Sequence, residues 1–322
     1  TTRAAAKDTD LSALQAEGAG FIVLGGYEDS QTYVPVFDGT NETGSHITWN
    51  KSSWEYSPIN YWLEGKTYKF VAYAPAKLQE GDLFDIDYAG NKLKMKDGGT
   101  FTADGETDLV VAEGKPQGYP VAAEPVQMET VGFKFYHALS KVKFTFINGW
   151  RNAVTLKITN IKLSNVKNTG SLTTSGTMAQ GSDKIQLSAW SGQTGTADYE
   201  DKADGMNTDE YEASYEFENF LLPTVLDDSQ MKLTFTVQVT NSQGTSPDLG
   251  AGAGNPVNKE VVIPKDVVTE WMPGYAYNYK LTISGSTFGL KPIQFDDIDV
   301  DSEWGNGGED DMDEGIEVVP GA

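Results

Sequence analysis

Few side chains in this 322-residue chain are suited to acid–base or nucleophilic chemistry. The chain has two histidines, His46 and His137, and no cysteine. This composition leaves little material for Ser–His catalysis and none for a thiolate nucleophile, a disulfide or a thiolate metal site. His137 stands beside the start of a predicted strand, where we expect it to pack or to form a hydrogen bond. We therefore expect a protein that is not an enzyme and that holds no cofactor.

Two short motifs match catalytic or nucleotide-binding signatures only in part. The residues "EGKT" (64–67) resemble the end of a phosphate-binding loop, but Asn60 stands where that loop requires Gly. The motif lies between strand patterns, so we interpret it as a hairpin turn. In "GSTFG" (285–289), Thr287 takes the place of the nucleophilic Ser of a hydrolase elbow, and no helix pattern follows. Neither motif predicts catalysis.

Alternate carboxylates near the end of the chain resemble part of a calcium-binding loop. Asp297, Asp299 and Asp301 fall at its first three ligand positions. However, Ser302 replaces the Gly that makes the turn, and Gly308 stands where the loop requires a bidentate Glu. The alternation is also typical of the outward face of a strand, and we predict no metal site here.

An aromatic cluster is a candidate ligand-binding surface. It comprises Trp49, Trp54, Tyr56, Tyr61 and Trp62. Exposed rings, above all Trp49, Trp54 and Trp62, would offer a stacking platform to a sugar. The alternative, which we favour, is core packing, because a large aromatic side chain buries about 150 to 250 Å² and commonly anchors a sandwich core.

The composition limits the classes of partner. The formal net charge is -23 and the pI is near 4.3, so the surface repels phosphate backbones and anionic lipid and we expect no nucleic-acid partner. No apolar run reaches the length of about eighteen residues that a membrane-spanning helix needs. For an exported protein, a start at Thr1 without a signal peptide indicates a mature or trimmed form. Membrane association would then require a lipid anchor on a Cys preceding Thr1.

The elements that must position these residues are strands. Apolar residues alternate with polar ones over 231–239 and 275–283, which is the period of a half-buried strand. The phase of the apolar residues shifts around Asn160, as a bulge or a strand end requires. The residues "LSALQAEG" (11–18) predict a helical turn or two.

The length of the chain predicts two domains. A stretch rich in Gly, Pro and acidic residues at 112–129 interrupts the strand rhythm, and we place the boundary near Val126. A sheet that is apolar on one face must bury that face against a second layer. We therefore predict an all-β fold of two antiparallel β-sandwiches, at residues 1–125 and 126–304, followed by an acidic linker at 305–322.

Five motifs in order resemble those of the fimbrillins, which are pilin subunits of Bacteroidales surface fimbriae. They are "NYWLEGKTYKFVAYAP" (60–75), "FKFYHALSKVKFTFING" (133–149), "FLLPT" (220–224), "WMPGYAYNYKLTIS" (271–284) and the late set Ile298, Val300 and Trp304. The resemblance covers most of the chain. It implies two tandem, transthyretin-like β-sandwich domains and a structural subunit of an extracellular fimbria at the outer membrane. Such a subunit polymerises with other fimbrial subunits by strand exchange and supports adhesion to a host or bacterial surface ligand.

The resemblance also implies two sites. Fimbrillin precursors are trimmed after an arginine, which here is Arg3, so that Ala4 becomes the new N-terminus. The C-terminal "GIEVVP" (315–320) is expected to be a donor strand that completes the sheet of the next subunit. In this segment Ile316 and Val318 fall on one strand face with Glu317 opposite, and we expect the acidic residues before it to keep it away from its own domain.

A second function remains open on the same scaffold, because a fold does not fix a function. The alternative is a surface-exposed carbohydrate-binding lipoprotein. Coplanar, exposed Trp or Tyr rings on one face would favour this alternative. Buried rings together with a strand-shaped groove would favour the pilin.

Overall fold

The computed structural model describes residues 8–37, 43–121, 130–151, 154–180, 184–203, 205–226, 231–241, 246–285, 294–302, 304 and 316–318. The helices among these residues are short: α1 spans Leu11–Leu14, and 3-10 helices span Ala76–Gly81, Met178–Gln180 and Leu187–Ala189. The carboxylate of Asp10 caps α1 by accepting a hydrogen bond from the backbone N–H of Ala13 at 2.7 Å. The predicted helical turn is confirmed. No helix in the described ranges is long and apolar enough to cross a membrane.

Strands make up most of the rest of the described chain. Those of the first part are β1 (Phe21–Asp29), β2 (Thr32–Phe37), β3 (Ser45–Trp49), β4 (Trp54–Glu55), β5 (Thr67–Ala74), β6 (Phe84–Asp87), β7 (Lys92–Met95), β8 (Phe101–Thr102), β9 (Val110–Glu113), β10 (Gln117–Gly118), β11 (Val131–Phe133) and β12 (Tyr136–His137).

The later strands begin within the second long motif. They are β13 (Ser140–Asn148), β14 (Val154–Val166), β15 (Thr169–Leu172), β16 (Trp190–Thr194), β17 (Ala197–Glu200), β18 (Met206–Thr208), β19 (Ser214–Leu221), β20 (Thr224–Val225), β21 (Lys232–Asn241), β22 (Val257–Val262), β23 (Glu270–Trp271), β24 (Ala276–Ile283), β25 (Asp297–Asp301) and β26 (Ile316–Val318).

An eight-stranded sheet organises the first sandwich. Its strands lie in the order β12-β9-β5-β1-β3-β4, with β10 paired to β5 and β2 paired to β1. The first six residues of β1 are all buried, because both faces of the sheet are covered. Phe21 and Val23 join a cluster with Phe133 on one face. On the other face, Ile22 joins a cluster with Phe84 of the β6–β7 hairpin.

The second sandwich packs two sheets together. A four-stranded sheet, β19-β13-β24-β25, faces a five-stranded sheet, β17-β14-β21-β22, in which β18 also pairs with β14. Phe146 of β13 contacts Phe235 of β21 edge to face, with ring centroids 5.0 Å apart. Strands β13 and β24 run parallel, whereas the other pairs of these two sheets are antiparallel.

Two local predictions about this sandwich are confirmed. In β21 the side chains alternate between half-buried and buried along the whole predicted stretch, with Leu233 and Val237 among the buried set. In β14 the pairing with β21 shifts register between Thr159 and Lys162. Asn160 lies within this shift and has a φ of 52°, a left-handed conformation that Asn tolerates better than most residues. The predicted change of phase is therefore a bulge.

Both halves of the sequence build the first core. β12 belongs to the eight-stranded sheet, and Leu172, Trp190 and Trp304 pack into the cluster that covers Ile22. The predicted boundary at Val126 lies outside the described residues and stays a prediction. The all-β fold with β-sandwich domains is confirmed.

Candidate functional site

The C-terminal strand β26 pairs with the short strand β11 of the same chain. The pairing is antiparallel, with Val131 opposite Val318, Gly132 opposite Glu317 and Phe133 opposite Ile316. The backbone of β26 also approaches β4. The predicted donor segment is therefore a strand that lies on its own N-terminal sandwich, so the acidic linker does not keep it away.

The strand that receives β26 is part of an apolar layer. Val131 and Phe133 are buried, and Phe133 packs edge to face on Phe21 of β1 with ring centroids 6.0 Å apart. A small apolar cavity lies beside this layer and is lined by Val23, Phe37, Ile47, Tyr56, Trp62, Phe70, Val131 and Phe133. Within the described part of the chain, the buried indole N–H of Trp62 has no hydrogen-bond acceptor. The apolar side chains of β11 therefore face this layer, while its backbone pairs with β26.

The three tryptophans proposed as a sugar platform pack into the same layer. Trp54 is buried and lies edge to face on Phe21 at 5.1 Å, and Trp49 packs on Trp54 at 5.2 Å with the rings tilted by 56°. Trp62 contacts Tyr68 edge to face at 4.4 Å. These rings are neither coplanar nor fully exposed, as expected for core packing.

A second cluster, of charged and aromatic side chains, joins the two ends of the chain. His137 of β12 is buried, and its Nδ1 lies 2.9 Å from Oδ2 of Asp108. The same carboxylate oxygen accepts a hydrogen bond from the backbone N–H of Thr9 at 2.7 Å. The indole of Trp304 stacks on the His137 ring with centroids 3.9 Å apart. The N-terminal segment and a residue beyond β25 thus meet on β12.

Asp8 and Lys141 extend this cluster. The indole N–H of Trp304 donates to Oδ2 of Asp8 at 3.2 Å, and Nζ of Lys141 donates to Oδ1 of Asp8 at 2.8 Å. Lys141 also lies 3.5 Å from a carboxylate oxygen of Glu218. We call the set Asp8, Asp108, His137, Lys141, Glu218 and Trp304 the terminal cluster. Its contacts fix the start of the described chain to its last tryptophan.

Electrostatics favour the charged form of both cations in the terminal cluster. Burial alone would lower the pKa of His137, but Asp108, with a contribution from Asp8, outweighs burial and raises the pKa of His137 above its ordinary value. Burial also opposes the charge of Lys141, yet Glu218 and Asp8 raise the pKa of Lys141. Burial raises the pKa of Glu218 more than Lys141 lowers it. The cluster is therefore a set of paired charges at a buried junction.

Three of the six residues of the terminal cluster lie in motifs that the sequence analysis identified. His137, Lys141 and Trp304 belong to motifs that carry the family resemblance, whereas Asp8, Asp108 and Glu218 stood out in no motif. Asp108 directly precedes the apolar run of β9. An acidic residue next to a strand with the pattern of a buried one needs a partner, and this pattern could have identified Asp108 as a candidate.

The other predicted sites are placed as follows. Arg3 and Ala4, the trimming site, lie outside the described residues, as does most of the "GSTFG" motif. Residues 63–66 of the "EGKT" region form a turn closed by a hydrogen bond from the N–H of Lys66 to the carbonyl oxygen of Leu63. The described residues contain no group of three or more His, Asp or Glu side chains arranged to hold a metal ion.

The alternate carboxylates of β25 lie on an exposed strand. Asp297, Asp299 and Asp301 are all exposed. Lys280 of the neighbouring strand β24 forms ion pairs with Asp297, at 3.6 Å, and with Asp299. The carboxylates therefore face solvent and a lysine, as expected for the outward face of a strand.

Comparison with known proteins places this geometry in a family. The fimbrillin-like family model matches residues 2–295, and no curated protein gives a significant match. Among solved structures, a fimbrial protein from Bacteroides vulgatus is 14% identical, with 89% of this chain and 94% of that chain covered and a TM-score of 0.46.

Two further solved structures resemble the chain. A protein from Bacteroides uniformis proposed to act in cell adhesion is 16% identical, with 92% of this chain and 93% of that chain covered and a TM-score of 0.44. The fimbrial anchor protein Mfa2 from Porphyromonas gingivalis is 11% identical, with 88% of each chain covered and a TM-score of 0.32. Because the family model covers most of the chain, including four of the five motifs, the protein belongs to the fimbrillin-like family.

Proposed function

We propose that the protein is a structural subunit of a cell-surface fimbria, that it polymerises by strand exchange and that the polymer supports adhesion. The observation that carries the proposal is the pairing of β26 with β11. The backbone edge that receives the C-terminal segment within one chain would make the same contacts with the identical segment of a second copy.

The linker is long enough for either arrangement. Residues 305–315 connect Trp304 to Ile316, and a linker of this length spans at most about 40 Å when extended. This stretch contains acidic residues and no Lys or Arg. The segment can therefore reach β11 of its own chain or of an adjacent subunit.

Exchange by itself adds little free energy to the polymer. A β26 strand that leaves its own β11 and pairs with a neighbour's β11 replaces one set of contacts by an identical set. Association also costs about 4 to 15 kcal/mol in lost translational and rotational freedom. Strand exchange therefore determines which subunits are connected, and other contacts between subunits must stabilise the polymer.

The absence of cysteine allows a direct test of exchange. Gly132 and Glu317 are opposite each other in the β11–β26 pair, and directly opposed Cα atoms in an antiparallel pair lie about 4.5 to 5.5 Å apart, within the range of a disulfide. A Cβ added at Gly132 meets no atom within 4 Å. We expect the Gly132→Cys, Glu317→Cys double variant to form an internal disulfide as a monomer. Oxidised after assembly, it should give a ladder of covalently linked subunits on a non-reducing gel.

The matched control moves one cysteine to the other sandwich. Gly132→Cys combined with Val300→Cys, at an exposed position of β25, should give no internal disulfide and no ladder. Fimbriae of the Gly132→Cys, Glu317→Cys variant that still separate into internally crosslinked monomers without reductant would contradict strand exchange.

Trimming after Arg3 is part of the same proposal. The bond between Arg3 and Ala4 precedes an anchored segment, because Asp8 and Thr9 are held by the terminal cluster. N-terminal sequencing of subunits sheared from cells should therefore give Ala4 as the first residue. Polymerised subunits that begin upstream of Arg3 would contradict this step.

A further inference from the structure

We propose that, in the fimbria, the body of the strand-donating subunit covers an exposed apolar stripe on the first sandwich, formed by Ile59, Tyr61, Leu63 and Val121. The inference rests on the proposed function, since it assigns a second contact to the same pair of subunits. Its occupant is a second copy of this chain.

Three residues of the stripe are exposed at alternate positions of the segment between β4 and β5. Ile59, Tyr61 and Leu63 retain 53%, 71% and 47% of their accessible surface, and Val121, whose side chain borders Gly65 of the adjoining turn, retains 77%. The residues between them face inward: the side-chain amide of Asn60 donates to the carbonyl oxygen of Val36 at 2.9 Å. The segment therefore has the two-residue period of a strand, but its apolar side chains face solvent.

The backbone that presents the stripe is held in place. The N–H of Leu63 donates to the hydroxyl oxygen of Tyr68 at 2.8 Å, and the N–H of Gly65 donates to the carbonyl oxygen of Tyr119 at 2.7 Å. A Cβ added at Gly65 would lie 3.2 Å from a methyl group of Val121, so Val121 borders this turn. The stripe is thus a preformed surface, which reduces the entropy lost when a partner binds.

The location of the stripe points to the donor subunit. The inner side of the same segment contributes Trp62 to the cavity that Val131 and Phe133 of β11 also line. A segment donated to β11 is joined to its own subunit at Trp304 by residues 305–315, so the donor's body lies within about 40 Å of β11. The stripe belongs to the same segment as Trp62, which shares that cavity with β11, and is within the donor's reach.

The contact at the stripe would supply stabilisation that strand exchange alone does not. Because β26 makes identical contacts with either β11, the polymer needs contacts that a monomer lacks. Burial of four exposed apolar side chains is such a contact. An anionic lipid surface is a poorer occupant, because a chain with a net charge of -23 is repelled by it.

The test compares two pairs of substitutions. The stripe variant is Tyr61→Asp with Leu63→Asp. The control variant is Val262→Asp with Val267→Asp, which changes two similarly exposed apolar residues on the second sandwich. Each is expressed as the only copy of the chain, and the polymer sheared from cells is quantified. We expect at least a ten-fold loss of polymer with the stripe variant and little change with the control.

Folding and strand exchange are read out separately. Purified monomers of the stripe variant should keep their thermal unfolding midpoint and, with Gly132→Cys and Glu317→Cys added, should still form the internal disulfide. If aspartates destabilise the monomer, Ile59→Ser with Val121→Ser provides the milder variant, for which we expect at least a three-fold loss of polymer.

Normal polymer yield with a folded stripe variant would overturn the inference. If that variant also lost binding to vesicles or to target cells, the stripe would be assigned to a different ligand. If polymers with the unsubstituted stripe give no crosslinked ladder, strand exchange fails and with it the assignment of the donor subunit to the stripe. A normal ladder together with normal polymer yield in the folded stripe variant would overturn only the stripe contact.

Discussion

The strongest test of the terminal cluster is the replacement of Trp304. This residue is the last described one before the linker, and only 7% of its surface is exposed. It stacks on His137 and on Phe220, with ring centroids 3.9 and 5.8 Å away, and it donates a hydrogen bond to Asp8. We expect Trp304→Ala to detach the end of the chain from the first sandwich.

The magnitude follows from the buried ring. Replacing a buried Trp by Ala generally costs about 3 to 5 kcal/mol, which combines lost apolar burial with the cavity left behind. The hydrogen bond to the charged carboxylate of Asp8 is worth less, about 1.5 to 3 kcal/mol, and Asp8 keeps its ion pair with Lys141. Trp304→Phe retains stacking on His137 and loses that hydrogen bond, so it should cost about a third as much as Trp304→Ala.

Urea unfolding and hydrogen exchange together provide the assay. Trp304→Ala should lower the stability of the first sandwich by the amount above at constant m-value, and it should speed exchange in β12 and at residues 8–10. Val225→Ala, at an exposed position, is the control and should change little. A Trp304→Ala protein with unchanged midpoint and unchanged exchange would show that the cluster does not hold the chain end.

Two further predictions concern buried ionisable groups. The raised pKa of His137 means that its pair with Asp108 contributes fully below the unfolded pKa of about 6.5, and that this contribution is lost as the pH rises through the folded pKa. Urea midpoints between pH 6 and 9 should therefore fall, and they should fall less in His137→Gln; an equal fall in both proteins would contradict this. Buried Glu113 accepts hydrogen bonds from the backbone N–H groups of Gly176 and Met178 at 2.7 and 2.8 Å. Glu113→Gln should cost about 1 to 3 kcal/mol and speed exchange at residues 174–178, whereas Glu106→Gln, at the surface, should not.

Strands with one buried face and one solvent-accessible face could be predicted from the sequence alone. In β21 each polar residue between buried neighbours is half-buried on the more exposed face of the strand, so the two-residue period is visible in the sequence. The bulge at Asn160 was equally visible, because one extra residue moves the apolar set to the other phase. These features depend on a strand and its immediate neighbours.

The centre of the first sandwich could not be predicted in the same way. Both faces of β1 are buried, so residues 21–24 are all apolar. Without alternation of apolar and polar residues, the sequence does not indicate which side chain packs into which of the two cores. The two layers that cover β1 come from distant segments, including Phe133 on one face and Trp190 on the other. Composition and period cannot identify such partners.

The C-terminal segment shows where local physics predicts a strand but not its partner. Ile316 and Val318 on one face predicted a strand. The acidic residues before it were expected to keep it away from its own domain, but charge repulsion within a linker does not determine where the end of the linker binds. Repulsion extends a linker and increases its reach without selecting a destination. In the structure the destination is β11 of the same chain.

A short tether also keeps its end at an effective concentration near the millimolar range. A free neighbour in dilute solution cannot compete with that value, since both segments make the same contacts with β11. Exchange therefore needs a neighbour that is held in place by some other contact before its segment arrives. The apolar stripe is exposed, fixed in position and close to β11, so it can hold the neighbouring body while the strands exchange. On this reasoning the order of events is body contact first and strand pairing second, and the stripe variant should slow polymer growth even where its β11–β26 pair is intact.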